Sequence, residues 1–329
     1  MLFLSTLMIG TVISISATSW FTAWMGLEIN LLSLIPLMKK FNNNLATEAT
    51  LKYFIVQAMA SMILLMTSLM FVTTELQTEN MKTLSILMDS SLFIKMGAAP
   101  LHFWVPEVVS GISWNLTLLI LTWQKITPMI LLMYTNYNPT LMTIIIIMSS
   151  LTGGLMGINQ ICIRKILAYS SINHIGWMLS ASLFSMMMWL MYFLIYSIMN
   201  LSIILMLKEN KIYFLNQINK IKNFSMKLKF SMNFLSLGGL PPFLGFLPKW
   251  LTVHSLIMKE MFYLPVILII STLISLYIYM RLTFFSFTNS ISNSMNMTTK
   301  YNLSTMFTIF SAFSSISLIL LINLSNLMM

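Results

Sequence analysis

Apolar runs of about twenty residues follow one another along the whole sequence, separated only by short polar stretches. Charged residues make up 8% of the chain, against about 25% in soluble domains, and the mean hydropathy is +0.86. A helical run of this length crosses a bilayer, so the pattern excludes a water-soluble globule and predicts an all-α integral membrane protein. We expect about eleven transmembrane helices in one polytopic domain, 1–329, with spans near 3–20, 23–38, 50–72, 84–104, 114–134, 140–158, 165–184, 186–207, 233–256, 262–284 and 304–327.

The pattern G-x-x-P-x5-P occurs twice, five predicted spans apart. It lies at Gly97, Pro100 and Pro106, and again at Gly239, Pro242 and Pro248. An odd offset means that the two copies cross the membrane in opposite directions, and paired Gly/Pro-interrupted spans indicate discontinuous helices at a midplane site. The sequence therefore predicts inverted five-helix repeats at 3–134 and 140–284, a carboxyl-terminal helix at 304–327, and breaks in the fourth and ninth spans. Two unrelated proline kinks are the alternative.

Basic residues are concentrated in the predicted loops on one side of the membrane, which indicates the orientation of the chain. The loops on the amino-terminal side carry Lys39, Lys40, Arg164, Lys165, Lys208, Lys211, Lys220, Lys222, Lys227, Lys229, Arg281 and Lys300, whereas the opposite loops carry Lys82 and Lys259. The positive-inside rule then places the amino terminus and the 208–232 loop in the matrix or cytoplasm and the carboxyl terminus outside. Nucleic-acid binding is the competing reading of the lysine-rich loop, but an anionic leaflet or a partner subunit fits it better.

Ionisable residues inside the spans are the candidate functional residues, because each costs about 2.5–3.5 kcal/mol at a helix centre. Lys125 stands between apolar residues on both sides, so its ammonium should face the bundle interior. Lys95 is six residues from Asp89, which is not a helical pairing distance, so Glu28 on another helix is the better partner. The candidates for proton transfer are Glu28, Lys95, Lys125, Lys249 and His174, while Asp89 and His254 favour structural roles.

Each of these assignments has a structural alternative on the residues alone. His174 is as compatible with a satisfied packing residue as with a proton relay. Buried structural pairing is likewise the alternative for Glu28 and the three lysines. His102 and Glu107 flank the first break and receive no role.

One cysteine, Cys162, is present in the sequence. It cannot form an intrachain disulfide, a cysteine-bound iron–sulfur cluster or a zinc cage, so we expect any redox cofactor to lie in another chain. The 33 methionines, with few Ala and Gly, are typical of an AT-rich gene read with a mitochondrial code, although Met also fills gaps between helices. No Arg-rich transit peptide is recognisable at the start, which agrees with synthesis inside an organelle.

Six stretches carry a resemblance to a known family. They are GLEIN (26–30), TEATLKYFIVQAMASMILLM (47–66), KMGAAPLHFWVPEV (95–108), LTWQKITP (121–128), RKILAYSSINHIGWM (164–178) and LGGLPPFLGFLPKW (237–250). In this order they resemble the chain 2 family of mitochondrial NADH-ubiquinone oxidoreductase, respiratory complex I, in an insect or other arthropod form. The resemblance implies an antiporter-like fold that lacks the three amino-terminal helices of the bacterial counterpart. The sequence beyond about 285 matches only in hydropathy.

The resemblance also implies a function. The chain would be a proton-translocating membrane-arm subunit in the mitochondrial inner membrane, with the key charged residues at Glu28, Lys95, Lys125 and Lys249. NAD, FMN, iron–sulfur clusters and ubiquinone would be held by other subunits, and this chain would hold no cofactor or metal. Its partners would be neighbouring antiporter-like and small core membrane chains, accessory subunits and phospholipids including cardiolipin, with no nucleic acid. A subunit of a related cation/proton antiporter and a non-pumping structural subunit are the alternatives.

Overall fold

A computed structural model describes residues 2–39, 43–73, 78–135, 138–221 and 224–288, which form α-helices joined by turns, with no β-strand in these ranges. The helices are α1 (Leu2–Ile15), α2 (Trp20–Met38), α3 (Asn44–Thr73), α4 (Thr78–Met96), α5 (Trp104–Gly111), α6 (Trp114–Leu121), α7 (Trp123–Tyr134), α8 (Pro139–Gly157), α9 (Ile163–Ser182), α10 (Met186–Glu209), α11 (Phe224–Gly238), α12 (Phe246–Met258) and α13 (Tyr263–Thr288), with a 3₁₀ helix at Leu215–Lys220.

The chain folds as two compact units, Met1–Ser149 and Ser150–Met329. In the first unit α1 packs along α2, α3 contacts α2, α4 and α5, and α7 contacts α1 and α4. The start of α2 is set by a capping residue in the sequence. Ser19 precedes α2 as a capping box, its hydroxyl accepting from the Thr22 amide at 3.3 Å, which satisfies a donor that the first turn leaves free.

The second unit is built around α9. Most residues from Ile163 to Ala181 are buried, and α10, α12 and α13 pack against this helix, while α11 packs against α10 and α13. A helix enclosed on all sides can carry polar side chains only if neighbouring helices supply hydrogen-bond partners. Asn173 donates to Ser275 of α13 and His174 is bonded to Tyr192 of α10, whereas the serines of α9 donate to carbonyls one turn earlier in the same helix.

Large apolar side chains cover the outer surfaces of both units. Met59, Met187 and Leu273 are each more than 60% exposed, as expected for side chains that face lipid. Within the described ranges, six helices are long and apolar enough to cross a membrane, and α1 is a shorter apolar helix. The chain is therefore a multi-pass membrane protein. The six candidate spans are Trp20–Met38, Asn44–Phe71, Trp114–Tyr134, Pro139–Gly157, Met186–Glu209 and Tyr263–Phe287.

Helical backbone covers most of each predicted range from 3–20 to 262–284, but several boundaries were wrong. In the range 84–104, for which a break is predicted, α4 ends at Met96, whereas the range 114–134 is divided at Thr122, which was not predicted. The helix predicted at 233 begins at Phe224, so Lys227 and Lys229 lie on α11 and not in the loop predicted at 208–232. That loop also contains the 3₁₀ helix. The predicted span 304–327 lies outside the described residues.

Candidate functional site

The helical backbone stops between α4 and α5 in a glycine-capped turn. Gly97 has φ +74°, and the amides of Gly97 and Ala98 donate to the carbonyls of Ile94 and Phe93, each at 3.1 Å. This is the hydrogen-bond pattern of a Schellman cap, which needs a left-handed residue at the position of Gly97. The Trp104 indole of α5 donates to the Ile94 carbonyl at 3.0 Å and joins the two helices across the turn.

Lys95 lies in the last turn of α4, beside this cap, and is buried at 6% exposure. Its backbone carbonyl accepts a hydrogen bond from the Gln57 side-chain amide of α3 at 3.3 Å. The half-buried carboxylate of Glu28 on α2 acts electrostatically on the Lys95 ammonium, with no direct ion pair between them in the described part of the chain. The ion pair between Lys95 and Glu28 stays a prediction.

A small polar cavity adjoins Lys95 and reaches α7. Its lining includes Lys95, Tyr53, Gln57, Gln124 and Pro128, and its volume of about 10 Å³ is close to the space of one water molecule. Because Pro128 has no amide proton, the Gln124 carbonyl lacks the helical donor that it would otherwise have. The Gln124 Nε2 atom is buried and has no hydrogen-bond partner among the described residues. The cavity therefore offers polar groups from α3, α4 and α7.

Lys125 follows Gln124 and is buried at 3% exposure, as the flanking apolar residues predicted. The helix restarts just before it, because Thr122 leaves the helical conformation at φ −118° and ψ −73°. The Lys125 amide donates to the Thr122 carbonyl at 3.1 Å. A lysine at this depth cannot reach water along its own helix, so any proton that it exchanges must pass through protein groups.

The second unit contains a break of the same construction between α11 and α12. Gly239 has φ +79°, and the amides of Gly239 and Leu240 donate to the carbonyls of Ser236 and Leu235. Lys249 of α12 reaches back to the end of α11, where its Nζ donates to the Gly238 carbonyl at 2.9 Å and to the Leu237 carbonyl at 3.2 Å. The Lys249 side chain is 8% exposed.

The ammonium of Lys249 also lies over an aromatic ring. Its Nζ is 5.8 Å from the centroid of Trp177, which belongs to α9. His174 is one turn earlier on the same helix, buried at 2% exposure, and its Nδ1 is 2.9 Å from the Tyr192 hydroxyl of α10. The His174 ring lies 4.9 Å from that of Tyr196. His174 and the Trp177 ring that faces Lys249 therefore lie within one turn of α9.

The remaining ionisable residues occupy structural or surface positions. Asp89 is fully buried, and its Oδ1 accepts from the Thr135 hydroxyl at 2.7 Å, while its Oδ2 has no hydrogen-bond partner among the described residues. His254 is exposed. Glu107 lies at the surface, and its carboxylate is 2.8 Å from Lys52, which pairs at the same distance with Glu48.

Sequence reasoning missed several polar residues that the structure places at the site. Gln57, Tyr53 and Gln124 are neutral, so a search for ionisable residues in spans did not reach them. Amides inside apolar runs are a usable signal, since an unpaired amide is costly in hydrocarbon. Lys227 was also missed, because it was assigned to a loop, whereas it is buried at 4% exposure on α11.

Comparisons with known proteins agree with this architecture. The transmembrane family described as NADH:quinone oxidoreductase/Mrp antiporter matches residues 17–275. NADH-ubiquinone oxidoreductase chain 2 of Locusta migratoria is 47% identical over 86% of this chain and 84% of its own length, and that of Anopheles gambiae is 47% identical over 92% and 90%.

Solved structures resemble the fold at low sequence identity. A chain of respiratory complex I from Thermus thermophilus superposes with a TM-score of 0.84 at 23% identity, covering 97% of this chain and 77% of that one. A chain of the Mrp complex from Dietzia gives a TM-score of 0.75 at 18% identity, covering 84% and 58%. On the sequence relatives and the family match, the chain belongs to the NADH-ubiquinone oxidoreductase chain 2 family and is a proton-translocating membrane-arm subunit of that multisubunit complex.

Proposed function

We propose that Lys95, Lys125 and Lys249 carry the translocated protons, that Glu28 controls the proton occupancy of Lys95, and that His174 relays protons in the second unit. The observation that carries this proposal is the burial of Lys95, Lys125 and Lys249 beside interrupted helices, with Glu28 close enough to act on Lys95 but not in a direct ion pair with it. A carboxylate that does not contact the ammonium can change the electrostatic stabilisation of the protonated lysine by a small movement. A direct ion pair would have to be broken first.

The size of the effect is sufficient for coupling. At about 6 Å and an effective dielectric near 20, a unit charge pair is worth roughly 2.8 kcal/mol. Moving one charge against 100 mV requires about 2.3 kcal/mol. A rearrangement that moves Glu28 away from Lys95 would therefore change the free energy of proton binding to the amine. The change is comparable to the free energy needed to move one charge against the membrane potential.

The lateral route within the first unit starts at the cavity. One water there would contact Lys95 and the free amide of Gln124, and the next residue of α7 is Lys125. In the second unit, the Trp177 ring that faces Lys249 belongs to the same turn of α9 as His174, which is bonded to the Tyr192 hydroxyl. We assign Lys125 as the central relay and Lys249 as the terminus of the second half-channel.

The two units are proposed copies of one inverted repeat, at 3–134 and 140–284, with the carboxyl-terminal helix at 304–327 completing an eleven-span chain. Support comes from the break in each unit, where a left-handed glycine ends a helix and a proline-containing turn leads to a short one. We further propose the mitochondrial inner membrane as the location, with the amino terminus in the matrix and the carboxyl terminus in the intermembrane space. NAD, FMN, iron–sulfur clusters and ubiquinone are assigned to other subunits, and accessory subunits and phospholipids including cardiolipin to the surroundings.

The test is Glu28→Gln, which keeps the size of the side chain and removes its charge. In the assembled complex reconstituted into vesicles, we expect coupled proton pumping to fall on the order of tenfold. Asp89→Asn is the matched control, because an amide oxygen can still accept from Thr135 and this carboxylate has no proposed role in transfer. Normal pumping by Glu28→Gln would refute control by Glu28.

A purely structural role for the three lysines is the second candidate, and one observation favours it. The Lys249 ammonium is bound to two backbone carbonyls, as a purely structural lysine would be. This alternative predicts an unchanged ratio of protons to electrons after replacement of Lys95, Lys125 and Lys249 together. The proposed function predicts that the ratio falls.

A further inference from the structure

The two backbone carbonyls that bind Lys249 are the ones that the cap of α11 leaves open. The last four carbonyls of a helix have no helical donor. The cap satisfies Leu235 and Ser236 through the amides of Leu240 and Gly239. The carbonyls of Leu237 and Gly238 remain, and both accept from Lys249 Nζ. Lys249 therefore completes the end of α11.

No carboxylate balances this ammonium inside the second unit. Among the described residues there, Glu209 and Glu260 are exposed and no Asp or Glu is buried. The negative groups that face Lys249 are instead the carbonyl end of the α11 dipole and the ring face of Trp177. A neutral amine keeps two N–H donors but loses the charge that these groups attract, so the contact weakens when Lys249 loses its proton.

The first unit closes its corresponding carbonyl with a neutral group. Lys95 and Leu237 occupy the same place in their caps, two residues before the left-handed glycine. The Lys95 carbonyl accepts from the amide of Gln57, which carries a hydrogen bond at any pH. The Lys95 ammonium is thereby left to interact with Glu28. At this position the first unit thus has a donor that does not titrate, and the second unit has one that does.

We propose that the break between α11 and α12 is a latch that the protonated Lys249 closes and that loss of its proton opens. The inference deepens the proposed function, since it links the proton occupancy of Lys249 to the conformation of the break. In the open state the carbonyls of Leu237 and Gly238 need other donors, and water is the available one in a polar pocket at a broken helix. Proton release from Lys249 would thus admit water to the break.

Other titratable groups on the elements packed against α12 must be distinguished from Lys249. These are His174 on α9, Tyr192 and Tyr196 on α10, and Tyr279 on α13, with the exposed His254 and Lys259 at the end of α12 itself. His174 bonds to Tyr192, and Lys259 donates to the Leu183 carbonyl. Neither of these two hydrogen bonds involves the carbonyls of the break, so titration of His174 or Lys259 leaves the cap in place.

Amide hydrogen exchange of the intact complex tests the latch. Peptides covering 235–247 are followed from neutral to alkaline pH, with rates corrected for intrinsic base catalysis, in the wild type, Lys249→Met and Lys249→Arg. We expect Lys249→Met to exchange about tenfold faster at the break at neutral pH, because a charge-assisted cap is lost. Lys249→Arg should stay slow at every pH, since guanidinium keeps its proton. The wild type should change from slow to fast as pH rises.

Two controls come from the same chain. Peptides covering 93–99 report the first break, whose Gln57 cap predicts exchange independent of pH in all variants. Lys227→Met removes a different buried lysine, which lies near the start of α11 and far from the carbonyl end of that helix. This variant should leave exchange at the break unchanged. If Lys249→Met prevents assembly, the contrast between the wild type and Lys249→Arg still decides the question.

Pumping measured on the same preparations separates the latch from the proposed function. The latch would be overturned if exchange in the wild type were as independent of pH as in Lys249→Arg. It would also be overturned if the exchange rate in Lys249→Met were unchanged, even if pumping is lost. Normal pumping by Lys249→Met together with fast exchange at the break would instead remove Lys249 from the proton route and leave the latch standing.

Discussion

At the scale of single residues, the proposed route depends most on Lys125. This lysine is buried in the first unit and cannot reach water along its own helix, so it can exchange a proton only through other groups in the protein. Lys125→Met keeps most of the side-chain volume and avoids a cavity, so the complex should assemble. We expect proton pumping to fall, together with quinone reduction if the two are tightly coupled. Lys125→Arg should not restore pumping, because guanidinium does not release its proton.

Assembly, electron transfer and pumping are measured for both Lys125 variants in reconstituted vesicles. Full pumping by the arginine variant, or normal pumping by the methionine variant, would make Lys125 a structural charge. The depth of Lys125 could be predicted from its neighbours in sequence. The amide of Gln124 and the cavity beside it could not, because they arise where α3, α4 and α7 meet.

At the scale of helices, the apolar runs predicted most of the helical backbone, and the errors have a common cause. Hydropathy does not register a cap, so only the repeated Gly/Pro pattern predicted a break inside the range 84–104, where the left-handed Gly97 follows the end of α4. It also does not register a helix that begins with polar residues. The first turns of α11 contain Lys227 and Lys229, which resemble a loop in sequence although Lys227 is buried.

The break in the second unit allows a test at adjacent glycines. Gly239 has a positive φ, and a Cβ there would lie 2.8–3.1 Å from the side chain of Lys249. Gly239→Ala should therefore destabilise the break by about 1–2 kcal/mol from backbone strain alone, and should displace the lysine from its carbonyls. Faster amide exchange across 235–247 and less assembled complex are the expected results.

Gly238→Ala is the control for this substitution. Gly238 is helical, and a Cβ there would meet Tyr279 and Leu276 at ordinary distances of 3.4 Å or more. Alanine should be tolerated, since it favours helix over glycine. Equal effects at the two positions would mean that the left-handed turn does not define the break.

At the scale of the whole chain, orientation in the membrane rests on the distribution of basic residues, and the single cysteine offers a test on the unmodified protein. Cys162 is half-exposed and lies between α8 and α9, beside Arg164. The positive-inside rule places this turn in the matrix. A membrane-impermeant maleimide should therefore label Cys162 in inside-out inner-membrane vesicles and not in mitoplasts. A permeant maleimide should label it in both.

A second measurement does not depend on thiol accessibility. Lys208 and Lys211 are exposed at the end of α10 and belong to the same predicted side, so trypsin should cleave there in inside-out vesicles and spare the site in mitoplasts. Detergent-treated mitoplasts show that the protease is active. Cleavage from the outer face would invert the orientation and exchange the proposed entry and exit sides. Because Glu28, Lys95 and the cavity are defined within the first unit, their proposed coupling would stand even then, with the proton moving in the opposite sense.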